Sequence, residues 1–156
     1  MNKEIKEPIR GFCGKWRFLS NFWEGEQGIM EDHELFPTAE HLYQFHKAIN
    51  DLDRMRIVAA RTPGTAKRIG RCMNIRTDWD YIKQSVMLDV VRAKFFQDPA
   101  LANLLLETGD RELIEENSWG DTFWGTTNGV GENNLGKILM LVRNEIRTAR
   151  EGVDET

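Results

Sequence analysis

Phe36-Pro37-Thr38-Ala39-Glu40-His41-Leu42-Tyr43-Gln44-Phe45-His46-Lys47 is the segment on which the reading of this chain turns. Pro37 suits the first turn of a helix, where its missing N–H has no intrahelical acceptor to lose. A helix over 37–49 sets Glu40, Tyr43, Gln44 and Lys47 at i, i+3, i+4 and i+7, on one face. Leu42, Phe45 and Ile49 form a separate apolar stripe that can meet a core. A carboxylate, phenol, amide and ammonium gathered on one face have the makings of a site. The same spacing also fits an ordinary exposed polar face with Tyr43 half-buried, and the segment alone leaves both open.

Working outward, the 156 residues fit one domain with a real core, with 40% hydrophobic and 29% charged residues. The formal charge of −4 argues against binding through a broad cationic surface, but not against a local basic pocket. No apolar run reaches membrane-spanning length and the start lacks a signal-peptide core, so a cytoplasmic protein with no membrane partner is expected. Cys13 and Cys72 lack metal-ligand spacing and are expected as reduced thiols, each a small core residue.

Residues 1–10 read as a loose tail. The aromatic segment from Phe12 to Trp23 predicts a strand with a turn at Ser20-Asn21. Gly25 to Leu35 suggests a hairpin or irregular strand. A second helix over 51–60 has Asp51 as N-cap and Leu52, Met55 and Val58 or Ala59 as its packed stripe. Pro63 can start a short helix through Arg71. The strongest helix spans Trp79 to Gln97, with Trp79, Ile82, Val86, Val90 and Ala93 as its stripe. Asp98-Pro99 breaks it, and a helix resumes over 101–107. A short strand is expected around Leu113 and Ile114. The last helix starts near Asn134 with Leu135, Ile138, Leu139, Val142 and Ile146 on one face, and frays from Gly152. The fold class is therefore mainly α (α+β): one domain with its core over about 12–150, about six helices and a few short strands.

Residues 117–134 are too rich in Gly, Asn, Asp and Trp for a plain connector. Glycines at 125, 129, 131 and 136 can let backbone amides approach an anion, and a helix starting at Asn134 adds its positive end. Trp124 can stack on a base and Asp121 can hold a ribose hydroxyl or a water. An Ω-type loop whose tryptophans plug the core fits equally. Arg61, Lys67, Arg68 and Arg71 form a basic cluster suited either to a phosphate or to a solvated helix face. His41 and His46, five apart, point to different helix faces and do not suggest a shared metal. Trp79, Phe95 and Phe96 read as helix-packing aromatics, with Trp79 placed to rim a pocket.

In order along the chain, Phe18-Leu19-Ser20-Asn21-Phe22, the Pro37–Gln44 segment with Lys47, Trp79 and Met87, Arg92-Ala93-Lys94-Phe95, Leu105–Gly109, Asp121-Thr122-Phe123-Trp124-Gly125 and Gly131–Met140 resemble the YbiA/NADAR family. The resemblance covers about residues 12–147. It implies a compact, mostly α fold and N-glycosidase chemistry on ribosyl compounds. Similar proteins cleave phosphoribosylamino-pyrimidine intermediates of riboflavin synthesis; others remove ADP-ribose from guanine. By motif, Glu40 matches the acidic catalytic position and Asp121 the second site segment. Trp124 belongs with Asp121 to that second segment, Asn21, Tyr43, Gln44 and Lys47 match pocket positions, and Trp79, Gly125, Asn133 and Asn134 are carried with them. The chain departs from the family pattern where Thr126-Thr127-Asn128 precedes Gly129, a place where substrate choice can be set.

Breaking a C–N glycosidic bond builds positive charge on the sugar, which a carboxylate stabilises while polarising water. That role falls to Glu40, with Asp121 as proton donor or ribose holder and Trp124 on the base. Lys47 is open between a phosphate ligand and an electrophilic partner for an opened ribose. The chemistry requires no metal and no cofactor. The expected partner is a ribosyl phosphate metabolite, with ADP-ribosylated guanine in nucleic acid, or non-catalytic binding of NAD or ADP-ribose, as alternatives.

Overall fold

The computed structural model describes residues 6–154 and divides the chain into two units, Asn21–Gln97 and Met1–Ser20 with Asp98–Thr156. The first holds an antiparallel hairpin, β1 (Ile29–Glu31) and β2 (Glu34–Phe36), then α1 (Ala39–Lys47), α2 (Asp51–Ala59), α3 (Pro63–Cys72) and α4 (Trp79–Gln97). The second holds β3 (Ile9–Arg10), a 3-10 helix (Gly14–Leu19), α5 (Pro99–Glu107), β4 (Leu113–Ile114) and α6 (Asn134–Asp154). Its strands pair in parallel, with Ile9 opposite Leu113 and Arg10 opposite Ile114.

Caps explain most helix starts. The Thr38 side chain accepts from His41 N–H at 3.2 Å, Asn50 from Asp53 at 2.8 Å, and Thr62 from Thr65 at 3.1 Å. The first helix therefore starts one residue after Thr38, and Pro37 stands outside it. Asn50, rather than Asp51, caps α2. His41 is fully buried: its Nε2 lies 2.9 Å from the Ala60 carbonyl and its Nδ1 2.7 Å from Thr38 Oγ1. Nε2 donates to the carbonyl, which leaves Nδ1 to accept from the hydroxyl. His46 turns elsewhere, to Glu31 at 2.6 Å.

In the Asn21–Gln97 unit, α1 packs on α2, α3 and α4, and α4 also meets β1. Ala48, Ile57, Ala60 and Ala66 form one small core, flanked by Phe45, Ile69 and Met73. In the other unit, α6 packs on α5 and β4 through Leu135, Leu139, Val142 and Ile146.

Several expectations are corrected. Phe12–Trp23 holds no strand: the bonds Trp16 N–H to Cys13 O and Ser20 N–H to Arg17 O wind it into the 3-10 helix. Adjacent Phe18 and Leu19 are both buried within it. Leu52 and Met55 are exposed; α2 docks through Ile57, because its packed face is narrowed to one residue among alanines. The seam of α4 runs through Trp79, Met87, Val90, Val91, Lys94 and Phe95, leaving Ile82, Val86 and Ala93 at its margin. Ile49 lies beyond the end of α1 and is exposed, as is Phe96. Cys13 and Cys72 are free but exposed, not core residues. Of the tail expected over 1–10, residues 1–5 lie outside the described residues, and Ile9 is buried in β3. The expected fraying from Gly152 is absent through Asp154, which is helical; residues 155–156 lie outside the description. No helix among the described residues is long and apolar enough to cross a membrane.

Candidate active site

Glu40 occupies the first turn of α1, where a helix leaves N–H groups without intrahelical acceptors. Its own N–H donates to the Asn21 carbonyl at 3.0 Å. The Asn21 side chain, also buried, donates from Nδ2 to Met87 Sδ on α4 at 3.3 Å. Asn21 thus ties the start of α1 to the middle of α4. The Glu40 side chain is 7% exposed and accepts one hydrogen bond, from Gln44 Nε2 at 2.9 Å. Burial raises its pKa above the usual carboxylate range, against the opposing pull of the Gln44 amide and of Lys67, Lys47 and Arg71.

The polar face is a buried one. Gln44 is 4% exposed, and its Oε1 has no hydrogen-bond partner among the described residues. The amide lies against Gly70 of α3: a Cβ there would come 1.8 Å from Oε1 and 2.6 Å from the amide carbon. With Gln44 in this position there is no room for a side chain at 70, so Gly70 helps fix the amide that holds Glu40. Tyr43 and Trp79 are buried together, ring centroids 5.1 Å apart and tilted 58°. Lys47 closes α1, half-buried; burial lowers its pKa, opposed by Glu40 and reinforced by Arg71, Lys67 and Lys83.

The loop before α6 is held by its own polar groups. Asp121 Oδ1 accepts from the N–H groups of Phe123 (3.2 Å) and Trp124 (2.9 Å), an Asx-type turn. Asn117 grips Asp121 from both sides, accepting from its N–H at 3.0 Å and donating to its carbonyl at 2.8 Å. Trp124 is half-buried, edge-on to Phe123 with centroids 4.8 Å apart. Gly125 is buried where a Cβ would lie 2.0 Å from the Glu115 carbonyl oxygen. Asn133 turns its amide to the strand side, donating to Leu113 O and accepting from Glu115 N–H, both at 2.9 Å. At the start of α6, Asn134 N–H and Leu135 N–H donate to the carbonyls of Phe123 and Trp124. Asn134 Nδ2 also donates to Phe123 O, at 2.9 Å. At the start of α6 the Asn134 and Leu135 amides are thus taken by loop carbonyls, and the Gly129 N–H donates to Glu116 Oε1 at 3.2 Å.

The structure brings Asn21, Glu40, Tyr43, Gln44, Lys47 and Trp79 into one unit, and Asp121, Trp124, Gly125, Asn133 and Asn134 into the other. Two contributors went unread in the sequence. Met87 falls within the family resemblance, but its sulfur role has no sequence signal. Gly70 had one: a glycine inside a helical stretch points to a close packing partner.

A buried carboxyl whose pKa is raised by burial, held by an amide and faced by lysine and arginine, marks this end of α1 as the candidate site. Residues 11–147 match the NADAR domain model. The chain is 42% identical over 135 residues to an N-glycosidase of Nostoc punctiforme, covering 83% of this chain and 85% of that protein. It is 36% identical over 121 residues to N-glycosidase YbiA of Escherichia coli K12, covering 76% and 75%. It is also 39% identical over 133 residues to a riboflavin biosynthesis protein of Vibrio vulnificus, a longer chain of which it spans 35%. The NMR structure of E. coli YbiA superposes with a TM-score of 0.82 at 32% identity, covering 92% of this chain and 87% of that one. The chain belongs to the NADAR family and has the YbiA fold.

Proposed function

We propose that this chain is an N-glycosidase, a hydrolase that breaks the bond between a ribosyl C1′ and a base nitrogen, acting on a small nucleotide-like molecule. The observation that carries this reading is the buried Glu40 carboxyl, anchored by Gln44 and faced by Lys47, Lys67 and Arg71. As the C1′–N bond breaks, positive charge grows on the ribose, and an ionised Glu40 stabilises it. A water oxygen bonds to C1′, the water gives up a proton, and the leaving nitrogen gains one. The cations favour the ionised form of Glu40 that this role needs, while burial strengthens its field on the sugar. The relatives named as N-glycosidases, and the one named for riboflavin biosynthesis, favour a phosphoribosylamino-pyrimidine over a modified base in nucleic acid.

Glu40→Gln keeps the side-chain volume and removes the charge. With its fold verified by circular dichroism, it is expected to lower turnover of an N-ribosyl substrate by about a hundredfold or more. Release of base by mass spectrometry is the measurement, and near wild-type release would overturn the assignment. Tight binding of the same ligands by the wild type without release would instead mark a binding module.

A further inference from the structure

Arginines on the Asn21–Gln97 unit are mostly paired: Arg54, Arg76 and Arg92 lie 2.9, 2.9 and 3.5 Å from Asp51, Asp78 and Asp89. Arg71 differs. It is exposed at the end of α3 and makes no hydrogen bond or ion pair among the described residues. Lys67 stands one turn earlier on the same helix face, its Nζ 5.7 Å from the centre of the Phe22 ring. Phe22 follows Asn21, whose carbonyl receives the Glu40 N–H, so Lys67 lies at the Glu40 end of α1. Gly70, between Lys67 and Arg71, touches Gln44, three residues before Lys47. Helix α3 is therefore laid along α1 with its two cations beside the buried carboxyl.

We infer that Lys67 and Arg71, with Lys47, form the subsite that takes the phosphate carried by the ribosyl group. This rests on the N-ribosyl reading above and names the part of the substrate that α3 recognises. Positive charges from two helices converge around one buried acid, a setting suited to a phosphate dianion. Arginine offers a fork to two phosphate oxygens, and the lysines supply point charges. The phosphate then fixes the ribose with C1′ toward Glu40, so binding energy remote from the breaking bond orients it.

The test separates binding from hydrolysis. Ribose, ribose 5-phosphate and ADP-ribose are titrated into the full chain by calorimetry, with Arg71→Gln, Lys67→Gln and Arg71→Lys beside the wild type. Wild type is expected to bind ribose 5-phosphate at least about tenfold tighter than ribose, the scale of one charge-assisted hydrogen bond. Arg71→Gln and Lys67→Gln should each shrink that ratio to within about threefold, and Arg71→Lys should restore part of it. A merely structural role would weaken both ligands alike and leave the ratio unchanged. Comparison with ADP-ribose tells a terminal phosphomonoester from a diphosphate, and dependence on Arg71 and Lys67 in either upholds the subsite. Equal affinity for ribose and ribose 5-phosphate, or a preference indifferent to both substitutions, overturns it. Hydrolysis without phosphate preference sinks the subsite and spares the N-glycosidase reading; phosphate-selective binding without hydrolysis does the reverse.

Discussion

Glu40 carries opposite consequences for activity and for stability. Its native pKa lies above the ordinary carboxylate value of about 4.3, so the folded state holds the proton more readily than the unfolded chain. The stability contributed by Glu40 is greatest below that value and falls as pH rises through the window up to the raised native pKa. Glu40→Gln is therefore expected to be more thermostable than wild type at neutral pH, with the gain vanishing at low pH; thermal melts across the range check this. The ionised form proposed to act at the sugar appears over the same window. The acid limb of the pH–rate profile should thus lie above the usual carboxylate range, and Lys67→Gln should move it higher by removing a cation that favours ionisation. A limb that stays put would separate Lys67 from the carboxyl. Lys94, buried in α4, has its pKa lowered by burial to about 7. The unfolded chain binds that proton up to about 10.4, so stability rises with pH between those values. Lys94→Met should flatten this slope, read as the change in urea midpoint between about pH 7 and about pH 10.

At the scale of elements, the register of α3 against α1 depends on Gly70. Alanine there improves helix propensity by up to about 1 kcal/mol but drives a methyl into the Gln44 amide. Gly70→Ala should keep its fold while losing turnover about tenfold or more, because Glu40 loses its amide donor. Gln44→Ala makes room for the methyl, so a double-mutant cycle should show strong coupling in stability between the two positions. Gly125→Ala has no such escape, since the Cβ meets the Glu115 carbonyl, a backbone atom. A loss of more than about 3 kcal/mol is expected in urea unfolding. Helices α3, α4 and α6 were legible because Pro63, Asp98-Pro99 and the apolar spacing of 135–146 punctuate them locally. The polar face of α1 was legible as a face, but not its burial, since hydrophobic pattern places Glu40, Tyr43 and Gln44 toward solvent. What reverses that is the close approach of α3 at Gly70 and the reach of Asn21, both tertiary facts. The loop was legible as unusual, but glycine spacing alone does not tell amides facing an anion from amides facing loop carbonyls.

For the molecule as a whole, residues 12–147 resembled the family in order and spacing, and the family model and the YbiA structure match nearly that span. The parallel pair of Ile9–Arg10 with Leu113–Ile114 joins positions about a hundred residues apart, across the entire Asn21–Gln97 unit. Closing so long a loop costs about 2 kcal/mol more entropy than closing one of about ten residues. The continuous unit is free of that burden, because α1 to α3 meet through short connections. Its helices should therefore gain hydrogen-exchange protection first in a pulse-labelling refolding experiment, with the amides of Ile9 and Gly11 protected last. Simultaneous protection would disprove this order. Helices that bear the candidate acid and its cations would then be assembled while the two ends of the chain are still searching for each other.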